Sequence, residues 1–160
     1  DNAGADGKLL VIDYYATWCH ACQRVYPTLC LIAEDPKLRK QIVFAKMQVD
    51  KHKKLVKQEG ITVLPFLRCY GKGGLVFEGS AAPTKVKKLR GNLETALSEP
   101  GMTYFMDEVG VIQPETDDMI ERRSEKKAAA KARTDRAASK SNIPAVSPVP
   151  SPAPATNTPA

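Results

Sequence analysis

No stretch of this chain stays apolar for the roughly 20 residues that a membrane-spanning helix needs, so the sequence holds no candidate span. Cysteine is scarce. The four cysteines, Cys19, Cys22, Cys30 and Cys69, are irregularly spaced and do not make the framework of a small disulfide-stapled secreted domain. They fit a reducing compartment with one reactive pair. There is no second Cys-x-x-Cys, and zinc usually takes two such pairs, so ligand count argues against a metal site. No metal and no cofactor is assigned. Methionine is absent from the first position, and a chain starting at Asp1 reads as a processed or trimmed product whose targeting segment is gone. Charge is absent from residues 141–160, which carry six prolines among Ser, Ala and Thr and read as a disordered tail. Residues 121–142 lack an apolar stripe, so a helix there would bury no face.

The stretch Trp18-Cys19-His20-Ala21-Cys22 organises the rest. Before it runs Leu9-Leu10-Val11-Ile12-Asp13-Tyr14-Tyr15-Ala16, a buried strand by its apolar content. After it, Val25, Tyr26, Leu29, Leu31, Ile32 and Ala33 recur at helical spacing. A Cys-x-x-Cys at a strand-to-helix junction has a physical rationale. The helix start points unpaired N–H groups and a partial positive charge at the first sulfur, which favours the thiolate of Cys19. Two intervening residues bring Cys22 within disulfide reach. One thiol attacks and the other resolves the mixed disulfide. A purely structural bridge is disfavoured, because closing so short a loop gains little entropy.

Residues 1–8 are a polar, Gly-rich lead-in to the first strand at 9–16. Pro27 falls inside the helix after the motif and is expected to kink it, and Asp35-Pro36 ends it. A second strand is predicted over 42–49. Asp50 is expected to cap a short helix from Lys51 to Glu59, with Gly60 ending it. Ile61 to Pro65 lead into a third strand, Phe66 to Tyr70. Gly71-Lys72-Gly73-Gly74 turns the chain, and Leu75 to Glu78 returns. Pro83 is expected to open a last helix with Val86, Leu89, Leu93, Ala96 and Leu97 inside. The folded domain is placed at 9–100, a linker at 101–114 and a basic Ala/Lys/Arg-rich helix at 115–140. Residues 121–140 hold eight basic and three acidic side chains, so most of the net charge of +6 belongs to the tail.

Strand, helix, strand, helix, hairpin and final helix imply an α/β fold, a mixed sheet with helices on both faces. Over residues 9–98 the chain resembles a thioredoxin. Asp13, six residues before Cys19, matches that family's buried carboxylate, and Lys46 matches the lysine paired with it. Pro27 matches the proline in the active-site helix, Leu64-Pro65 the cis-proline loop, and Gly79 the glycine after the last strand. Cys30, Val63-Leu64-Pro65-Phe66-Leu67-Arg68 with Tyr70, and Lys85 to Leu89 are similar to the atypical Cys- and His-rich chloroplast thioredoxins. Two departures stand out. Cys-His-Ala-Cys replaces the usual Cys-Gly-Pro-Cys, which removes a rigid proline. The family also has a strand and a helix ahead of the one at 9–16, and only eight residues stand there here, so that first strand and helix are expected to be missing.

The resemblance implies roles. Cys19 is the nucleophile and Cys22 the resolving thiol of a redox disulfide. Asp13, buried near them, exchanges the proton of Cys22, its pKa raised by desolvation. Lys46 pairs with Asp13. Trp18, Val63, Leu64 and Pro65 form the substrate-binding edge, where the backbone of Val63 and Leu64 takes an extended peptide. His20 either supports the thiolate when charged or faces solvent. Cys30 and Cys69 read as core packing. Lys51, Lys53, Lys54 and Lys57 read as a solvated helix face. The function implied is a thiol–disulfide oxidoreductase acting on disulfide-containing proteins in the chloroplast stroma. The alternative is a thioredoxin-fold subunit of a larger assembly, docked on a neighbour or a polyanion through residues 121–140.

Overall fold

The computed structural model describes residues 7–140, with side chains described to residue 133. The Pro-rich segment 141–160 and most of the lead-in at 1–8 lie outside the described residues. Strand β1 (Leu9–Tyr15) leads to helix α1 (His20–Ala33). Strand β2 (Ile42–Gln48) follows, then a single 3-10 turn (Val49–Lys51) and helix α2 (Lys53–Gln58). A hairpin of β3 (Phe66–Gly71) and β4 (Gly74–Ser80) precedes a 3-10 turn (Val86–Lys88) running into helix α3 (Leu89–Ser98). A second, short hairpin of β5 (Tyr104–Met106) and β6 (Ile112–Pro114) leads to helix α4 (Asp117–Lys140).

The main sheet has the order β2-β1-β3-β4. β1 is parallel to β2 and antiparallel to β3, and β3 is antiparallel to β4, so the sheet is mixed as its connections require. Leu9, Val11 and Asp13 alternate onto one face of β1. There Leu9 and Val11 meet Val25, Leu29 and Ile32 of α1 and Leu89, Leu93 and Ala96 of α3 in one core. β2 lies at an edge of the sheet: among the described residues it pairs only with β1.

Several local expectations meet a different outcome. Asp50 caps no helix. α2 begins at Lys53 after His52 without a side-chain cap, because the 3-10 turn intervenes and the Asp50 carboxylate is engaged elsewhere. Gly60 does end α2: its φ of 70° allows Gly60 and Ile61 N–H to reach back to the carbonyls of Lys57 and Val56. Pro83 stands ahead of a 3-10 turn rather than opening α3. Gly79 lies inside β4, not after the last strand. A Cβ there would come within 2.6 Å of Met106 Sδ, so the glycine lets β5 lie close against β4.

Residues 101–114 are no linker. Tyr104, at 1% exposure, and Ile112 belong to the main core. The buried Asn92 side chain of α3 joins the hairpin through both its polar atoms, donating to Gly110 O at 2.8 Å and accepting from Ile112 N–H at 3.2 Å. The sequence hides this because each strand has only three residues, too few to show alternation. α4 matches the expected basic helix but is fastened to the domain by charge. Arg123 donates to both oxygens of Glu115 and reaches Glu78 on β4 at 3.2 Å. Glu78 in turn accepts from the buried Arg68, which also holds the Glu59 carboxylate and carbonyl at the end of α2.

If the second hairpin is part of the core, Tyr104→Ala is expected to lower stability by about 3 kcal/mol or more in denaturant unfolding. A residue in a solvated linker would cost well under about 1 kcal/mol.

Candidate active site

The two motif cysteines sit where β1 ends and α1 begins. Cys19 is the residue before the helix, in extended backbone conformation, and its Sγ accepts from the Cys22 N–H at 3.1 Å. The sulfur therefore occupies the place of a capping side chain and satisfies one of the free donors at the helix start. Cys19 and Cys22 are joined in a disulfide with a Cα–Cα distance of 5.3 Å. Both are buried, packed with Ala16, Leu64 and Val49 in a small apolar cluster separate from the main core. His20 is the first helical residue and is exposed.

Trp18, Leu64 and the Val63–Pro65 loop flank the disulfide. Trp18 is 66% exposed, with its indole N–H donating to Asp50 Oδ1 at 3.1 Å, which fixes the ring next to Cys19. Val63 is 51% exposed, Leu64 packs on the disulfide cluster, and the Leu64–Pro65 peptide is cis, as the resemblance implied. Pro65 is fully buried, its carbonyl taken by Ala81 N–H at 2.9 Å.

Asp13 is 4% exposed, and its Oδ1 has no hydrogen-bond partner. It shares a cleft of about 340 Å³ with Tyr15, Cys22, Gln23, Tyr26 and Lys46. Burial pushes the Asp13 carboxyl up to about 6 from an ordinary 3.8, and the nearby Lys46 charge offsets part of that rise. Lys46 stands opposite Asp13 in the β1–β2 register, as expected. Its ammonium, however, makes no ion pair with Asp13 among the described residues. It lies over the Tyr26 ring, 3.7 Å from the centroid, with Tyr15 at 4.6 Å. The Asp13–Lys46 pairing is thus felt as a charge effect across the strands and not as a direct ion pair, because two aromatic faces compete for the cation.

Cys30 is half-buried and lines a second cleft with Asp13, Tyr26, Phe44 and Lys46, so it is not simple core. Cys69 is core, and burial pushes its thiol up to about 12. The thiol form of Cys69 is therefore inert at neutral pH. Lys53 and Lys54 are exposed, as expected of a solvated helix face. Sequence reading missed Tyr15, Tyr26 and Asp50 as site neighbours. A signal existed for two of them: Tyr15 is two residues after Asp13 on the same strand face, and Tyr26 is four after Cys22 on the same helix face.

The buried carboxyl has a stability signature. Its folded pKa lies above its unfolded one, so its contribution is fully present below about pH 3.8 and lost as pH rises through about 6. Asp13→Asn is expected to be more stable than the parent by about 2–3 kcal/mol near pH 8 and equal to it near pH 3. Denaturant unfolding of the oxidised proteins across that range measures it.

A family model described as thioredoxin matches residues 3–95. Among curated proteins, the chain is 38% identical over 88 residues to the thioredoxin-like 2-2, chloroplastic, protein of Arabidopsis thaliana, covering 54% of this chain and 36% of that one. It is 33% identical over 88 residues to the thioredoxin-like 2, chloroplastic, protein of Oryza sativa subsp. japonica, covering 54% and 39%. The chain thus spans little more than a third of the length of these relatives. Among solved structures it is similar to the short form of thioredoxin f from spinach chloroplast, at 29% identity and a TM-score of 0.50, covering 59% of this chain and 81% of that one. It is also similar to a mutant thioredoxin from Halobacterium salinarum, at 26% identity and a TM-score of 0.51, covering 59% and 80%. With its mixed sheet, its Cys19–Cys22 disulfide at a helix start and a family match across more than half its length, the chain belongs to the thioredoxin family.

Proposed function

We propose that the protein is a thiol–disulfide oxidoreductase that reduces disulfides of other proteins, with Cys19 as nucleophile and Cys22 as resolving thiol. The observation that carries this reading is the Cys19–Cys22 pair capping α1, with a partnerless buried carboxyl, Asp13, in the cleft that Cys22 lines. In the reduced protein the Cys19 thiolate attacks one sulfur of a substrate disulfide, and the other substrate sulfur leaves as a thiolate. Asp13 takes the proton of Cys22. The Cys22 thiolate then attacks the Cys19 sulfur, closing the internal disulfide and releasing the second substrate thiol. Two electrons pass to the substrate, and a dithiol donor must restore the pair. An extended substrate segment lies along Val63 and Leu64, with Trp18 as one wall and the buried Pro65 setting the course of that backbone through its cis peptide. The chloroplast stroma is the compartment favoured, because the curated relatives are described as chloroplastic.

The test is a substitution series under a disulfide-reduction assay. Cys19→Ser is expected to abolish turnover, and Cys22→Ser to accumulate a mixed disulfide with substrate. Cys30→Ser and Cys69→Ser are expected to retain most activity. Loss of turnover in a folded Cys30→Ser protein would replace this mechanism with a three-thiol one.

A second reading, a subunit held in a larger assembly through its tail, is favoured by α4. That helix carries exposed Arg122, Lys126 and Lys127 and is tied to the domain through Arg123. If α4 binds a polyanion, replacing Lys126, Lys127 and Arg133 by Gln is expected to weaken binding and to lower its salt slope by about 1 for each anion-binding side chain removed. Salt-dependent retention on heparin measures this, and disulfide reduction is expected to stay unchanged.

A further inference from the structure

Strand register places Lys46 directly across from Asp13 in a parallel pair, so the two side chains leave the sheet on the same face as neighbours. A lysine that starts beside a buried carboxylate ordinarily ends in contact with it. Here its Nζ instead sits 3.7 Å from the centroid of Tyr26 and 4.6 Å from that of Tyr15. Both distances are well inside the range in which a ring face attracts a cation. Asp13 Oδ1, beside it on the same face, is left without a hydrogen-bond partner.

We propose that Tyr26, with Tyr15, is a positioning residue: the two rings hold the Lys46 ammonium off Asp13 and so set the pH at which Asp13 exchanges a proton with the cysteine pair. This deepens the proposed oxidoreductase reading and rests on it for the proton's destination. The groups facing Asp13 are few. β2 supplies Lys46; α1 supplies Tyr26, Cys30 and the Cys22 sulfur; β1 itself supplies Tyr15; and β3 places apolar Leu67 opposite. Among the described residues Lys46 is the sole cation lining the two clefts, so its position decides how far the carboxylate form is stabilised. Held on the rings, it offsets only part of the desolvation that raises the Asp13 pKa. Moved onto the carboxylate, it would favour ionisation and make Asp13 a weaker base for the Cys22 proton.

The test reads Asp13 directly, by carboxyl-carbon NMR titration of the oxidised protein, where the disulfide cysteines do not titrate. The parent is expected to titrate near pH 6. Tyr26→Leu removes the nearer ring, and Asp13 is expected to fall from there towards 3.8 as Lys46 turns to it. Tyr26→Phe keeps a ring face and is expected to restore the parental value. Lys46→Met is expected to move Asp13 upward and to cancel the effect of Tyr26→Leu in the double variant. Tyr15→Leu provides a second route to the same fall if Tyr26→Leu does not fold. An Asp13 pKa unchanged or raised in the folded leucine variants would overturn the proposal. So would a Tyr26→Phe protein that behaves like Tyr26→Leu. None of these readings needs turnover, so a protein that titrates as expected but fails to reduce disulfides would overturn the oxidoreductase reading and leave the clamp standing.

Discussion

The contact on which the site depends is a hydrogen bond between the two residues that also form the disulfide. Cys22 N–H donates to Cys19 Sγ at 3.1 Å, so the sulfur that carries negative charge in the proposed mechanism is the one closing the helix start. A helix N-terminus has donors to spare and a positive field, and a thiolate there gains what an ordinary capping oxygen would. The placement is inherited from β1. The strand must end at Tyr15 for the turn to present Cys19 at the first free N–H groups of α1. The same strand's alternation puts Asp13 on the face that α1 covers. One strand end therefore fixes Cys19, Cys22 and Asp13 together.

The molecule buries charge in two contrasting ways. Arg68 is buried and fully engaged: burial alone would lower its pKa, but Glu78 and Glu59 more than reverse that and keep it charged. Through Glu78 the same network continues to Arg123 and Glu115, so an ionic ladder runs from α2 through the sheet to α4. Removing one member would strand the others, which is how buried pairs exert most of their effect. Asp13 is the opposite case. Its Oδ1 has no hydrogen-bond partner and the group is costly to ionise, the combination that marks a candidate for proton transfer. Paired charge ties α2, the sheet and α4 to one another, and the unpaired carboxyl shares a cleft with Cys22.

The second hairpin shows how a short element can be essential yet inconspicuous. Its six strand residues include two core side chains, Tyr104 and Ile112. Asn92 ties it to α3, and Gly110 makes the approach feasible, since a Cβ there would lie 2.7 Å from Lys85 Cβ and its φ is 90°. None of these residues is unusual for a loop. Only the partner it packs against turns the segment into structure.

The sequence alone determined what local chemistry and periodicity can determine. The apolar run 9–16, the helical spacing after Cys22 and the glycine-rich turn at 71–74 each follow from the residue at hand and its near neighbours, and each stands where expected. So do the Cys19–Cys22 pair and the Ala/Lys/Arg-rich helix. Asp13 and Lys46 were also legible as neighbours, through the resemblance, which implied that they pair, and the β1–β2 register sets them side by side. What each does once there was decided by tertiary structure. The Lys46 ammonium chose two aromatic rings over a carboxylate because Tyr26 comes from a helix that packing lays across the strands. Asp50 gave up a helix cap for the Trp18 indole 32 residues away. Residues 101–114 became core because α3 and β4 were already positioned to receive them. Competition for a partner is settled by distance in space, and sequence separation carries no record of it.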